Sequence, residues 1–255
     1  MGETMLDRDI MGGLAKGLAA IETFTVDRPR QSIAEVSAAS GLDRATARRC
    51  LLTLSRLGYA DYDGKYFTLT PRILRLGTAC LATMPLPQMV QPLLDRLSET
   101  LGESSSVSIL DADEIVYIAR AAQRKVMSIG LMPGSRLPAF CTSMGRVMLA
   151  ALPPQEARQV LSAAPLTART RLTNTDPEWL LAELERVRGQ GFSLIDQEVE
   201  LGLRSIAVPV RNARGMVIAS LNLGVPATQS RVEDLVELYL RAMTQVQAEL
   251  HAMLR

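Results

Sequence analysis

Ser32-Ile33-Ala34-Glu35-Val36-Ser37-Ala38-Ala39-Ser40-Gly41-Leu42-Asp43-Arg44-Ala45-Thr46-Ala47-Arg48-Arg49-Cys50-Leu51 carries two helix-start signals with one helix-stop signal between them. Ser32 and Glu35 have the spacing of a capping box, in which the serine oxygen accepts the Glu35 amide and the glutamate reaches back to the serine amide. Gly41 suits the left-handed residue that closes a helix, and Asp43 can cap the next one, over about residues 44–57. Ala47, Leu51, Leu54 and Leu57 share the inner face of that helix. Two short helices joined by a glycine turn make a helix-turn-helix. The outer face of the second carries Arg44, Thr46, Arg48, Arg49 and Thr53, cationic donors and small hydroxyls of the kind that meet phosphates and base edges.

Upstream, Leu14, Leu18, Ile21 and Phe24 recur at helical steps and predict a first amphipathic helix ending near Asp27-Arg28-Pro29. Downstream, Tyr59-Ala60-Asp61-Tyr62 alternates, turns at Asp63-Gly64 and alternates again through Leu69, the signature of a hairpin. This hairpin is a wing, with Lys65 at its tip beside a phosphate or the minor groove. Between Asp43 and Arg75, seven basic side chains (Arg44, Arg48, Arg49, Arg56, Lys65, Arg72 and Arg75) stand against Asp43, Asp61 and Asp63. Basic helix faces are usually just solvated. Here the ordered set of helix, capped short helix, glycine turn, basic helix and Asp-Gly hairpin makes double-stranded DNA the expected partner.

Thr70-Pro71 can open a connector helix running through Ile73, Leu74, Leu76, Ala79 and Leu81 to the Met84-Pro85-Leu86-Pro87 break. Val90, Leu93, Leu94, Leu97 and Leu101 then form another apolar stripe, closed by Gly102. The expected organisation is a winged helix-turn-helix over residues 1–78, the end of a linker helix and a boundary over 79–87, and an effector-binding domain over 88–255. Strands are expected over 106–110, 115–120, 126–131, 205–210 and 216–223. Helices are expected to open at Thr142 or Ser143, at Gln155, at Asp176-Pro177 and, through a second capping box, at Ser230-Arg231-Val232-Glu233. The fold class is α+β: the winged helix-turn-helix joined by a linker helix to a domain with an antiparallel sheet and helices packed on it.

Composition narrows the function. The 255 residues are 47% hydrophobic and 22% charged, with 28 Lys+Arg against 27 Asp+Glu, which excludes a disordered or collagen-like chain. No apolar run reaches the ~18 residues of a membrane helix, and Met1–Asp9 lacks the basic and apolar parts of a leader, so a cytoplasmic protein without a membrane partner is expected. Cys50, Cys80 and Cys141 are too far apart for a metal knuckle, and a single His251 removes the histidine-based catalytic and metal sites. Gly12 to Gly17 has the spacing of a phosphate loop, but Leu18-Ala19 stand where Lys-Ser/Thr must follow. No catalytic residue, metal or cofactor is expected. A remote alternative is a carboxylate-based hydrolase using Asp196 and Glu198, which has no accompanying nucleophile.

The chain resembles the IclR family of bacterial transcriptional regulators over nearly its whole length. The resemblance is carried by Gly17-Leu18-Ala19-Ala20-Ile21-Glu22, by Arg136-Leu137-Pro138-Ala139-Phe140-Cys141-Thr142-Ser143-Met144-Gly145-Arg146, by Gly191-Phe192 with Asp196-Gln197-Glu198, and by Gly202-Leu203-Arg204-Ser205-Ile206-Ala207-Val208-Pro209. It implies a winged helix-turn-helix joined to a GAF-like effector domain that binds a small organic acid. The Phe-Cys-Thr-Ser-Met-Gly-Arg form, with Ser220-Leu221-Asn222, is similar to the branch that controls aromatic catabolism through protocatechuate, p-hydroxybenzoate or β-ketoadipate. An activator of such genes is the favoured reading, with RNA polymerase as a further partner; the alternative is a repressor of another catabolic operon. Ile195 and Ser205 depart from the glyoxylate-responsive pattern and argue against that effector.

By the same resemblance, the acid meets the amides of Ser143 and Met144, the turn holding Ser205, and Asn222 with Gly224. Exposed amides at a helix start favour an anion, and Arg136 or Arg204 is available to balance it, with Phe140 beside the ring. Plainer readings stand next to these: Ser143 as a helix cap, Arg204 as the ion-pair partner of Glu198 or Glu200, and Phe140 and Met132 as core. Paired recognition helices on a pseudo-palindromic operator require at least a homodimer, through the connector helix over 71–83, and the resemblance suggests a tetramer.

Overall fold

The structure, a computed structural model, describes residues 10–25, 27–123 and 130–254, apart from the side chain of Leu81. Local signals build its first part. The Ser32 hydroxyl accepts the Glu35 amide while Glu35 Oε2 takes the Ser32 amide at 2.7 Å, so α2 (Ile33–Ser40) starts on the expected box and ends on Gly41 at φ +71°. Asp43 accepts the Thr46 amide at 2.9 Å and opens α3 (Arg44–Arg56). The first helix, α1 (Gly12–Glu22), stops sooner than its apolar spacing predicts. Thr23 Oγ1 donates back to the Ala20 carbonyl, and the buried Gln31 amide donates to the Thr23 carbonyl, which turns the chain into β1 (Arg30–Ser32).

β1 is a strand that alternation does not announce. It pairs with β3 (Tyr66–Leu69), which pairs in turn with β2 (Ala60–Tyr62), giving a sheet ordered β1-β3-β2. Leu51 and Phe67 are fully buried with Ala20, Val36 and Ala47, and Leu54 packs against them, each large side chain contributing about 1.5–3 kcal/mol by leaving water. Thr70 accepts the Arg72 amide over one 3-10 turn, Pro71–Ile73, before α4 (Leu74–Thr83). Leu74 and Leu76 on α4 are exposed. The chain divides into two compact units after Ala82.

The second unit begins with α5 (Pro85–Leu101), closed by Gly102 at φ +70°. Its antiparallel sheet holds β4 (Ser104–Asp111), β5 (Glu114–Ala121), β6 (Arg136–Pro138), β7 (Ser193–Asp196), β8 (Leu203–Arg211) and β9 (Val217–Pro226) in the order β6-β5-β4-β9-β8-β7. The strand expected over 126–131 lies, but for its last two residues, outside the described residues. Between β5 and β7 come α6 (Ser143–Ala151), α7 (Pro154–Ala163) and α8 (Pro177–Gln190), the last capped by Asp176 with proline at its first position. The chain closes with a π-helical turn, Val236–Leu240, and α9 (Arg241–Met253).

One face of the sheet packs on α5 and α9 through Val208, Leu221 and Leu223. The other packs on α6, α7 and α8 through Ile115, Ile195 and Ala207. The capping box expected at Ser230 does not form: among the described residues its hydroxyl has no hydrogen-bond partner, and Asp234 accepts the Arg231 amide instead.

Candidate functional site

Two regions gather the functional side chains, one in each unit. In the first, α3 projects Arg44, Arg48, Arg49 and Thr53 into solvent. Arg44 and Arg48 are one turn apart. Arg49 and Thr53 flank the side toward α1, and the Thr53 hydroxyl donates to the Arg49 carbonyl at 2.7 Å. Thr46 differs from its expectation: it is only 7% exposed, wedged beside Ala47, and its hydroxyl accepts from Arg49 at 3.4 Å. Its place in the helix is structural, because the cap at Asp43 fixes its amide.

At the wing, Asp63 Oδ1 accepts the amides of Tyr66 (2.8 Å) and Lys65 (2.9 Å), and Gly64 sits at φ +102°. These amides, Tyr66 first, together with Arg30 hold the Asp63 carboxyl down to about 2. Lys65 and Arg30 both lie over the Tyr66 ring, 4.9 and 4.2 Å from its centre, and Arg30 also pairs with Asp63. Arg30 thus joins the cationic wing; its only sequence signal is its place ahead of the capping box. An apolar groove of about 570 Å³ runs between α1 and α3, with Leu14, Leu18, Leu57 and Leu76 along it.

In the second unit a polar cavity of about 30 Å³ lies between the start of α6 and the sheet. Thr142 caps α6 by accepting the Gly145 amide at 3.1 Å, which leaves Ser143 at the first helical position with its side chain free of the capping role. The Ser143 hydroxyl accepts instead from Ser205 on β8 at 2.9 Å. A Cβ on Gly145 would stand 2.1 Å from the Ala139 carbonyl oxygen, so only glycine lets the preceding turn pack this closely on α6. Ser143, Met144, Ser205, Asn222 and Gly224, all named from sequence, line this one cavity. The α6 dipole points its amide end at it.

Three other expected residues are placed elsewhere. Arg136 donates to Glu114 on β5 (2.6 Å) and Asp111 at the end of β4 (2.7 Å) and does not line the cavity. Arg204 pairs with Asp196 at 2.7 Å, not with Glu198 or Glu200, and also donates to the Ala227 and Ser230 carbonyls. Burial works against the Asp196 charge, yet hydrogen bonds from Arg204 and Gln197 hold its carboxyl below the ordinary value. Phe140 is core, while Met132, expected there too, is 63% exposed.

Among the described residues, the guanidinium that lines the cavity belongs to Arg120 on β5, joined by Tyr117 from the same strand. Alternation puts residues three apart on opposite faces, and for that reason sequence reasoning passes over this pair. A β-bulge opposite Val107/Ser108, where Val107 pairs with Ala119 but Ser108 pairs with Tyr117, leaves Ile118 unpaired and turns both to one side. Arg120 donates to Ser106 at 3.0 Å, and burial pushes its pKa down.

Behind α6 lies the buried pair Arg146–Glu198. Arg146 Nη2 is 2.7 Å from Glu198 Oε2, its Nε donates to the Phe140 carbonyl at 2.9 Å, and its guanidinium stacks 5.2 Å from the Trp179 ring centre. Both carboxylates of Asp196-Gln197-Glu198 are thus bound to arginines and neither lines the cavity, an arrangement that suits a structural clamp better than acid–base chemistry. Burial raises the Cys141 thiol to about 11, which leaves it unreactive. Among the described residues no cluster of three or more His, Cys, Asp or Glu side chains could hold a metal, and no helix is long and apolar enough to cross a membrane.

Comparison with known proteins agrees with this layout. The family model described as the IclR helix-turn-helix domain matches residues 13–64, and that described as the C-terminal region of the bacterial transcriptional regulator IclR matches residues 78–249. The chain is 46% identical to the Pca regulon regulatory protein of Pseudomonas putida, over 89% of this chain and 80% of that one. It is 39% identical to the p-hydroxybenzoate hydroxylase transcriptional activator of Acinetobacter baylyi, over 86% and 83%. A solved IclR homologue from Microbacterium hydrocarbonoxydans, complexed with 4-hydroxybenzoate, superposes with a TM-score of 0.73 at 28% identity, over 94% of this chain and all of that one. With a winged helix-turn-helix in one unit, a polar cavity in the other and both family models matched in order, the chain belongs to the IclR family of DNA-binding transcriptional regulators.

Proposed function

We propose that this regulator binds a pseudo-palindromic operator through α3 and responds to a small aromatic hydroxy acid held in the α6 cavity. Arg44, Arg48 and Arg49 engage phosphates and base edges in the major groove, and Lys65 with Arg30 grips the flank. The acid's carboxylate meets the Ser143 and Met144 amides and the Arg120 guanidinium, while Ser205, Asn222 and Gly224 complete the site. The observation that carries this reading is the convergence of Arg120, Ser143, Ser205 and Asn222 on one cavity. The 4-hydroxybenzoate complex of a homologue, and the p-hydroxybenzoate activator among the relatives, support the choice of acid. The same relative supports an activator, which adds RNA polymerase as a partner, working in the cytoplasm without enzymatic activity.

A cavity of about 30 Å³ holds about one or two waters. An aromatic acid therefore fits only when the lining side chains Leu131, Met144 and Leu203 give way, and so it favours a different arrangement from the one described. Such differential affinity is what a ligand needs to couple to operator binding. The exposed leucines of α4 and the groove beside α1 support a homodimer, with a dimer of dimers as the larger assembly.

The test uses the full-length protein. Isothermal titration with 4-hydroxybenzoate, protocatechuate, β-ketoadipate and muconate is expected to give saturable binding of an aromatic member. Fluorescence anisotropy with duplex from its own promoter is expected to show salt-dependent binding that the bound acid alters. Absence of duplex binding at low salt overturns the operator assignment, and absence of binding by every acid overturns the effector assignment.

A further inference from the structure

The cavity is lined by two polar groups that nothing among the described residues satisfies. Asn222 is 9% exposed and its Oδ1 has no hydrogen-bond partner among the described residues. Tyr117 is 4% exposed and its hydroxyl makes no hydrogen bond among the described residues. Both line the cavity, where Ser205 donates to Ser143 and Thr142 caps α6, and none of these hydroxyls is bonded to Asn222 Oδ1. Buried polar groups are normally paired, so the orphaned Asn222 Oδ1, with the unbonded Tyr117 hydroxyl in the same lining, marks what the ligand must offer.

We propose that Tyr117 and Asn222 form a subsite that reads a hydroxyl group, so that the cavity selects an aromatic acid bearing a free hydroxyl over the same acid without one. This inference rests on the aromatic-acid reading above. An amide oxygen only accepts, so its partner must donate; a phenol donates to Asn222 Oδ1 and still has lone pairs to accept from the Tyr117 hydroxyl. A carboxylate is acceptor-only and cannot satisfy Asn222 Oδ1, which leaves that end of the ligand to Arg120 and the α6 amides. Burial raises the Tyr117 hydroxyl to about 12, so it keeps its proton through the neutral range. The β5 bulge at Ile118 is what turns Tyr117 to the same side as Arg120, so one irregularity supplies both the charge and the hydroxyl contact.

An acid without the hydroxyl leaves both groups unpaired in a site it closes to water, which corresponds to a discrimination on the order of 10- to 100-fold. The experiment is isothermal titration of the full-length protein with benzoate, 3-hydroxybenzoate and 4-hydroxybenzoate, on wild type, Tyr117→Phe and Asn222→Leu. Wild type is expected to favour one hydroxybenzoate over benzoate by roughly tenfold or more. Each substitution is expected to bring that ratio toward one. Because neither substitution removes a hydrogen bond that these two atoms make in the ligand-free protein, melting temperatures are expected not to fall, and either variant alone suffices if the other fails to fold. Equal binding of benzoate and both hydroxybenzoates by wild type, or an unchanged ratio in the folded variants, overturns the subsite and leaves the aromatic-acid reading standing. Binding of none of the three acids overturns that reading, and the subsite falls with it.

Discussion

Removing the Glu198 side chain tests the clamp behind α6. Arg146 is 1% exposed, and its charge is met by Glu198 at 2.7 Å, one carbonyl and one ring face; the same carboxylate also accepts the Asn174 amide at 3.1 Å. Glu198→Ala leaves a buried guanidinium without its counter-charge and an amide without its acceptor. Breaking a buried pair from one side costs about 3–5 kcal/mol. For a unit of this size, about 2–4 °C of melting temperature per kcal/mol gives a loss of roughly 10 °C, read by differential scanning calorimetry on the full chain. Two controls sharpen the expectation. Arg158→Ala breaks a solvent-exposed pair with Glu178 and should leave the melting temperature nearly unchanged. The double variant Arg146→Met with Glu198→Leu removes both charges and should recover most of the loss, since a buried pair is often no more stable than apolar residues in its place. A Glu198→Ala shift no larger than that of Arg158→Ala would show that the pair does not anchor α6.

Three further outcomes are expected. Arg48→Ala should weaken promoter binding and lower its salt slope by about one charge, measured by anisotropy from low to moderate salt; an unchanged slope places Arg48 off the phosphates. Ser143→Pro removes one amide at the start of α6, where proline is well tolerated, so DNA affinity should persist while the effector response is lost; a normal response moves the anion site elsewhere. The Asp63 carboxyl titrates near 2 in the fold against an ordinary 3.8, so its stabilisation of the wing is fully present above about pH 4 and is lost as pH falls toward 2. NMR titration of that carboxyl should show the low midpoint, and Asp63→Asn should abolish the acid-dependent loosening of the Tyr66 amide; a midpoint near 3.8 contradicts the turn geometry.

Much of the fold can be read along the chain because its signals are short-range. Ser32 with Glu35, Gly41, Asp43, Asp63-Gly64 and Asp176-Pro177 each bond or turn within a few residues, and each does in the structure what its spacing predicts. Where a distant partner competes, the local reading fails. Ser230 resembles a cap as well as Ser32 does, but Arg204 anchors its carbonyl, its hydroxyl caps nothing among the described residues, and Asp234 takes the Arg231 amide. β1 is a strand only because β3 lies beside it. In the same way, Ser143, Met144, Ser205, Asn222 and Gly224 could be named from motif residues, yet which arginine accompanies them could not.

The sequence by itself determined the order of elements, the helix-turn-helix with its wing, and a C-terminal unit that alternates strands and capped helices, because capping and periodicity act over one or two turns. Tertiary structure alone decided which charges face the cavity. Arg136 and Arg204 are drawn off by Asp111 on β4, Glu114 on β5 and Asp196 on β7, while a single unpaired residue, Ile118, rotates Tyr117 and Arg120 inward. That rotation depends on β5 pairing with β4, and the cavity itself on β4 pairing with β9 more than a hundred residues away in the chain. A strand's own alternation carries no information about where its neighbour's register slips.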